Sequence, residues 1–352
     1  MESQVATIVS QAAYFCTVAL NSLLIYLSAS HTKRISETYR QMIIGFAMLG
    51  IVFSTFDVVV RPSGGCIPVV EEGDRDTSGY GFSRHSDQSP SEVSAIYSAI
   101  YSTILSFLTI QYVFRTCILI KPHMTHHFQG WKFLFWLGYV FFFGFAWGYI
   151  TYVHAYPDDY AREYVRSELF RQYGVNSNDV PLFVLLAYEE AGTEKRVRLQ
   201  SLICIFGDMG IMALQYCIMM ACGVIMYNKI RHNLKSVTST HSKVQKQFFK
   251  ALVYQLAAPS LLVHLPAIPL FFAPFFDMKF SFRTRIVVYF FSFYPLFDSL
   301  ILFCIVKDYK VAMKKIISKW AQSILFYVDT TNPSDAVPGT LSTNARFAED
   351  AL

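Results

Sequence analysis

Charge is the scarcest ingredient of this sequence. Asp, Glu, Lys and Arg supply 16% of its 352 residues, while 53% are hydrophobic. Soluble domains run at about 25% charged and about 45–50% apolar. A soluble chain of this length would lack the charge to cover its surface. Long stretches free of all four charged types make it a polytopic membrane protein instead. Collagen-like, coiled-coil and disulfide-stapled secreted classes are excluded on the same grounds.

Catalytic and metal-binding signatures are missing too. There is no His-Glu-x-x-His, no Gly-rich phosphate loop and no Gly-x-Ser-x-Gly elbow, so no enzyme activity, metal or cofactor is expected. His123, His126 and His127 have no Cys or acid nearby to complete a ligand set. They are expected to add conditional positive charge to a loop. No repeat relates the two halves of the chain, which speaks against an inverted-repeat transporter. Nothing positive precedes the first apolar run, where Glu2 is the only charge, so no signal-peptide n-region is expected.

What is present is a series of apolar runs. A bilayer core of about 30 Å takes roughly 20 apolar residues per helix. That rule gives spans near 7–28, 41–60, 94–118, 132–153, 199–227, 248–273 and 285–306. The expected fold is an all-α membrane protein, a bundle of seven transmembrane helices. Aromatics reach 16%, with 32 Phe and 22 Tyr, as suits rings that face lipid and the interfaces. Span 6 carries Pro259, Pro266 and Pro269. Each removes a backbone hydrogen bond, so this span is expected to bend.

Basic residues set the expected orientation. Lys33, Arg34 and Arg40 follow the first span, and Lys229, Arg231, Lys235, Lys243, Lys246 and Lys250 crowd the fifth connection with no acid among them. Segments 61–93 and 154–198 carry more acids than bases. The N-terminus is therefore expected outside and the C-terminus inside. Net charge of +5 is then mostly a property of the inner face and implies no nucleic-acid partner. Of seven cysteines only Cys66 lies in an outer connection, so no outer disulfide pair exists.

Beyond the seventh span, Met313, Ile316, Ile317, Trp320, Ile324 and Tyr327 recur at helical spacing, with Lys314, Lys315 and Lys319 opposite. This predicts a receptor domain over 1–310, a surface helix over 308–328 resting on anionic inner-leaflet lipids, and a disordered tail over 329–352.

An ionisable group inside a span costs several kcal/mol unless paired or hydrated. Asp57, Arg115, Asp208, His264 and Asp298 are therefore the candidate functional residues. Arg115 is either a snorkelling anchor or a switch. His264 is either a neutral core histidine or a ligand contact. Asp57 can also be read as a solvated helix end. Asp298, after Tyr294 and Pro295, is expected to enter a structural network through Asn21 of span 1. By depth from the outer ends, Tyr97 and Tyr101 of span 3, Asp208 of span 5 and His264 of span 6 form a candidate ligand pocket. Either Asp208 and His264 contact a ligand there, or they tie only to each other.

Several segments carry a likeness to known proteins. Gln245-Lys246-Gln247-Phe248-Phe249-Lys250-Ala251-Leu252-Val253, followed by Gln255 and Pro259, resembles the start of helix 6 in nematode seven-transmembrane serpentine chemoreceptors of the str class. Tyr294-Pro295-Leu296-Phe297-Asp298-Ser299, running into Lys307-Asp308-Tyr309-Lys310, is similar to the family's helix 7 ending. Phe114-Arg115 with Lys121-Pro122, Tyr156-Pro157-Asp158 and Ala273-Pro274-Phe275-Phe276-Asp277 also resemble family segments. Helix 3 ends in Phe-Arg where rhodopsin-like receptors have Asp-Arg-Tyr, and Ser299 stands where relatives often have Pro.

The resemblance implies a G-protein-coupled olfactory receptor in the plasma membrane, on the cilium of a sensory neuron. Its implied partners are a small odorant, a heterotrimeric G protein and membrane lipids. Arg115, Lys246 and Lys250 would rim the G-protein cavity, with Tyr294 and Asp298 as further switch candidates. A ligand-gated ion channel and a small-molecule transporter are the rival functions.

Overall fold

The architecture is that of a computed structural model, which describes residues 2–30, 37–60, 66–70, 78–83, 90–155, 158–163, 166, 170, 182–186, 188–191, 194–233, 240–265, 268 and 285–331. Pro266, Pro269, segment 273–277 and the tail from 332 onward lie outside these residues.

Among the described residues the first compact unit, which runs to Lys307, holds seven long helices. They are α1 (Glu2–Ser30), α2 (Glu37–Val60), α3 (Pro90–Ile120), α4 (Phe133–His154), α5 (Leu199–Asn233), α6 (Thr240–Pro259) and α7 (Arg285–Ile305). Five are long and apolar enough to cross a membrane: α1 to α5, with α4 counted from Gly130. In α7 the described apolar run is Phe293–Ile305. A further helix, α8 (Lys307–Thr331), belongs almost wholly to a second unit. On α8, Lys314, Lys315 and Lys319 are exposed.

The helices close into a ring, each touching the next and α7 returning to α1. Within the ring α3 also reaches α5 and α6. It is the central helix, with 72% of its span buried against 17% for α4 and for α5. A central membrane helix must hide its polar groups internally. Thr103, Ser106, Thr109 and Thr116 do so by donating to the carbonyls four residues back. Pro90 at the start and Glu92 in the first turn suit the helix N-terminus.

Helix α4 shows how composition sets packing. Its lipid-facing side exposes Phe135, Phe141, Phe142, Phe145 and Tyr149. The side facing α3 carries Gly144 and Gly148. A Cβ on Gly148 would sit 2.8 Å from that of Ala99 and 3.0 Å from the Ala95 carbonyl oxygen. Small residues at this spacing let two membrane helices approach closely.

Helix α6 loses its regular pitch at Pro259. A π-turn follows over Ser260–His264, with the Leu265 N–H donating to the Ser260 carbonyl five residues back. Proline cannot supply the N–H that its turn requires, and a widened turn re-aims the side chains that follow it.

Two small sheets lie in the connections on one end of the bundle. Strand β1 (Cys66–Val70) pairs antiparallel with β2 (Ser78–Ser83), and β2 pairs with β3 (Leu182–Leu186). Strands β4 (Tyr188–Ala191) and β5 (Glu194–Val197) form a hairpin. No strands are expected here from the sequence, although β1 and β3 are apolar five-residue runs, CIPVV and LFVLL, that suit strands. We call this end the sheet end, and the opposite one, with connection 121–132, the basic end.

Candidate functional site

Near the sheet end, Tyr101 of α3 meets a ring from each of four other helices. Its ring lies 6.4 Å from Phe53 of α2, 6.1 Å from Trp147 of α4, 5.8 Å from His264 after α6 and 6.5 Å from Tyr294 of α7. The Tyr101 hydroxyl is hydrogen-bonded to His264 Nε2. On the other edge of the imidazole, Tyr216 of α5 lies 2.7 Å from Nδ1 and 2.8 Å from the Ser260 hydroxyl. Ser260 and His264, four residues apart on one face, meet Tyr216 together. Three helices are thus joined through one histidine.

Tyr97 stands one turn before Tyr101 and donates to Asp57 Oδ1 at 3.2 Å. Asp57 is therefore no solvated helix end: it is 1% exposed and held by a phenol.

Asp208 does not join this group. Thr151 donates to its Oδ2 at 3.3 Å, and the Cys204 thiol lies 3.8 Å from the same atom. Ser98 in turn contacts the Thr151 hydroxyl at 3.1 Å. The expected Asp208–His264 pair is corrected on this point. Neither depth nor direction matched. Asp208 precedes Tyr216 by eight residues, which on a helix means about 12 Å of rise and about 80° of rotation. Tyr216 faces α6, and Asp208 faces α4.

Outside the ring, Asp158 accepts the Ala161 N–H at 2.9 Å, capping the turn that starts the long connection before α5. The same carboxylate takes an ion pair from Arg198, which is buried just before α5. This clasp fastens the connection to the bundle.

Midway along the bundle, Asn21 of α1 accepts from Ser299 of α7 at 2.7 Å. The network expected to link Asn21 with Asp298 therefore runs through its neighbour. One residue rotates a helix position by about 100°, and Asp298 faces α6, where Gln255 hydrogen-bonds it. Tyr294 is buried at this level too. Toward the basic end, the Tyr112 hydroxyl crosses from α3 to the Leu252 carbonyl of α6 at 2.8 Å.

At the basic end Arg115 is buried, not extended to the surface. Its guanidinium lies 3.2 Å from the centroid of the Tyr39 ring of α2 and 4.1 Å from that of Phe248 of α6. Around it, Tyr39 packs against Phe114 and Phe248, Phe114 against Phe128, and Phe128 stacks on Trp136 at 4.5 Å. Lys246 and Lys250 are exposed on α6. A snorkelling anchor would end in headgroups; this arginine ends between rings.

The sequence pointed to Tyr97, Tyr101, His264 and Arg115, and the structure bonds Tyr101 to His264 and Tyr97 to Asp57; the other partners it left unmarked. Tyr216, Ser260, Tyr39, Phe248 and Gln255 are ordinary residue types for a membrane helix, and only their shared direction marks them.

Residues 6–314 match the model of the serpentine type 7TM GPCR chemoreceptor Str family. The chain belongs to this family. It is 35% identical over 314 residues to the G-protein coupled receptor str-33 of Caenorhabditis elegans, covering 88% of this chain and 89% of that one. It is 26% identical over 303 residues to the serpentine receptor class r-10 of Caenorhabditis briggsae, covering 85% and 86%. A likeness of 21% over 277 residues reaches the serpentine receptor class J-38 of C. elegans, with 75% and 79% covered. The chain is thus a multi-pass membrane protein of a receptor family, not of an enzyme family.

Proposed function

We propose that this member is an olfactory receptor that detects a small volatile molecule at the sheet end and signals to a heterotrimeric G protein at the basic end. The single observation behind this reading is the double engagement of α6. Its far end holds Tyr101 and Tyr216 through His264, and its near end holds Arg115 through Phe248, with Pro259 and the π-turn between them. A ligand that competes for Tyr97, Tyr101 or His264 loosens α6 from α3. The hinge lets the basic end swing, and Arg115, Lys246 and Lys250 then meet the acidic and apolar surface of a partner helix. Tyr294 and Asp298 keep α7 in register with α6 during this change. Asp208, turned toward α4, serves packing.

In this reading the sheet end and N-terminus are outside, the basic end is inside, α8 rests on inner-leaflet lipid, and the receptor resides in the ciliary plasma membrane of a sensory neuron. The C. elegans relative named as a G-protein coupled receptor supports the coupling half. The test is expression with a G-protein reporter and simultaneous current recording across an odorant panel. A reporter response without current is expected. A current that persists with the G protein blocked would make the chain a channel. Surface labelling of an epitope in 228–247 on intact cells would overturn the orientation.

A further inference from the structure

Connection 121–132, at the basic end, is folded tightly enough to hold its side chains in fixed places. It consists of two short 3-10 turns, Pro122–Phe128 and Gly130–Lys132. Phe128 is the buried anchor, stacked on Trp136 and edge-on to Phe114. The Trp136 indole N–H donates to the His127 carbonyl at 3.1 Å. His126 Nδ1 donates to the His123 carbonyl at 2.6 Å. A carbonyl can only accept, so this Nδ1 carries a proton whether the ring is neutral or charged. Nε2 is then the atom of His126 that titrates.

What the connection presents is positive and unbalanced. Lys121, His123, His126 and His127 are exposed and Lys132 is half-buried. The His126 and His127 rings lie 3.8 Å apart. The ionisable groups that act on His127 are His126, Lys132 and His123, all cationic when charged. The first turn packs against α3 and α4, and no Asp or Glu occurs from 93 to 157. Arg115 of α3 is turned between Tyr39 and Phe248, and Glu37 at the start of α2 is paired with Arg40 at 3.9 Å. Beside these cations stands an apolar step of exposed Trp131, Leu134 and Phe135. A tryptophan at such a step marks the headgroup level of a membrane.

We propose that connection 121–132 binds a lipid headgroup bearing phosphomonoesters and that its histidines take up protons as the lipid binds. This rests on the receptor reading only for placing the basic end in the inner leaflet, where phosphorylated inositol lipids reside. A headgroup of one net charge is matched by Lys121 and Lys132 alone and leaves the histidines neutral. A phosphomonoester carries about −1.5 to −2 near neutral pH and offers three acceptor oxygens, enough to hold imidazolium as well. Two charged rings 3.8 Å apart repel, and an anion beside them offsets that repulsion. The bound rings therefore keep protons at a pH where the free rings have lost them, and binding tightens as the pH falls. The phosphate itself loses charge in that direction, so the gain can only come from the protein.

The experiment uses the full chain in phosphatidylcholine nanodiscs with ring-15N-labelled histidine. The His126 and His127 signals are assigned by their loss in His126→Gln and His127→Gln. The probe is dioctanoyl phosphatidylinositol 4,5-bisphosphate, compared with dioctanoyl phosphatidylserine at equal added charge and with soluble inositol 1,4,5-trisphosphate. The bisphosphate should move both signals toward the protonated ring. Its half-saturation should lie roughly fivefold lower at pH 6 than at pH 8, about the effect of one further cation at the surface. His126→Gln combined with His127→Gln should abolish that pH dependence without changing thermal unfolding. Should that pair not fold, Lys121→Gln combined with Lys132→Gln should weaken binding by roughly fivefold or more.

Phosphatidylserine that acts equally at matched charge, binding that is the same at pH 6 and pH 8, or soluble trisphosphate that matches the lipid would each overturn the proposal. So would a double histidine variant that loses guanine-nucleotide exchange in pure phosphatidylcholine, which would make the connection a contact for the protein partner. Binding that behaves as expected in a chain that evokes no G-protein response refutes the receptor reading and leaves the lipid site standing.

Discussion

The Arg115 guanidinium lies 3.2 Å from the centroid of the Tyr39 ring, with Phe248 4.1 Å away. A buried cation is thus shared between rings on α2 and α6. Helix α6 carries no acidic residue over Thr240–Pro259, so what it offers Arg115 is an aromatic face and not a carboxylate. Such contacts contribute about 0.5–1 kcal/mol when exposed and about 2 kcal/mol or more when desolvated.

Removing the ring should therefore release α6. Phe248→Leu is expected to raise signalling in the absence of odorant by roughly 30-fold, following the buried cation–π value of about 2 kcal/mol. Phe248→Tyr, which keeps an aromatic face, should stay near the parent value. Basal reporter output normalised to surface protein measures both. Equal basal output for Leu and Tyr would remove Phe248 from the switch.

Close packing of α4 on α3 should be intolerant of bulk. Gly148→Leu drives a branched side chain into Ala99 and the Ala95 carbonyl. Overpacking of this kind costs about 1–3 kcal/mol or more. The variant should unfold at lower temperature in detergent and reach the surface poorly. Gly138→Leu, where a Cβ meets nothing within 4 Å, should behave like the parent and serves as the control.

Asp298 and Gln255 hold α7 to α6 inside the bilayer. Gln255→Leu leaves the carboxyl without its donor, at a cost of about 1–3 kcal/mol. Asp298→Asn keeps a polar partner of the same shape and should cost less. Thermal unfolding of the two purified variants checks the order. A more stable Gln255→Leu would mean that the pair serves specificity and not stability.

The loop histidines give a pH prediction. Loss of water contact, then the neighbouring His126, Lys132 and His123, lowers the pKa of His127 from its ordinary 6.5. The His126 and His127 rings sit 3.8 Å apart. A depressed histidine pKa means that the folded loop disfavours the charged ring. Its contribution to stability is intact above the unfolded value and fades as the pH falls through the folded one. Titration by NMR should place the His127 midpoint below 6.5 and below that of the same residue in a loop peptide. A midpoint at or above the peptide value would contradict the geometry.

Much of the fold was legible because lipid punishes charge. Helix α4 announces itself through Phe133–Val153, which has none, and the same penalty singled out Asp57, Arg115, Asp208, His264 and Asp298. Tyr97 and Tyr101, named from their depth, do meet Asp57 and His264, but the other partners were not legible. Tyr39 and Phe248 are unremarkable in a chain with 22 Tyr and 32 Phe, and only the fold turns them toward Arg115. Depth along a helix can be counted from sequence, whereas direction across the bundle depends on tilt and on breaks such as the π-turn. Direction is why Asp298 was set beside Asn21; Asp208 was set beside His264 because depth counted from the end of the apolar run missed by about 12 Å along α5. The three-stranded sheet was invisible for a different reason: its second pairing joins segments about a hundred residues apart, Ser78–Ser83 with Leu182–Leu186.

The central claim is that ligand binding at one end of the bundle opens the other to a G protein through Arg115. Guanine-nucleotide exchange on purified heterotrimer, driven by receptor in nanodiscs, tests it most directly. An odorant that activates the parent in cells should accelerate exchange on the purified heterotrimer, and Arg115→Ala at equal receptor amount should lose at least nine-tenths of that acceleration. Undiminished exchange by Arg115→Ala, or an odorant-evoked current with no exchange in the parent, would contradict the account.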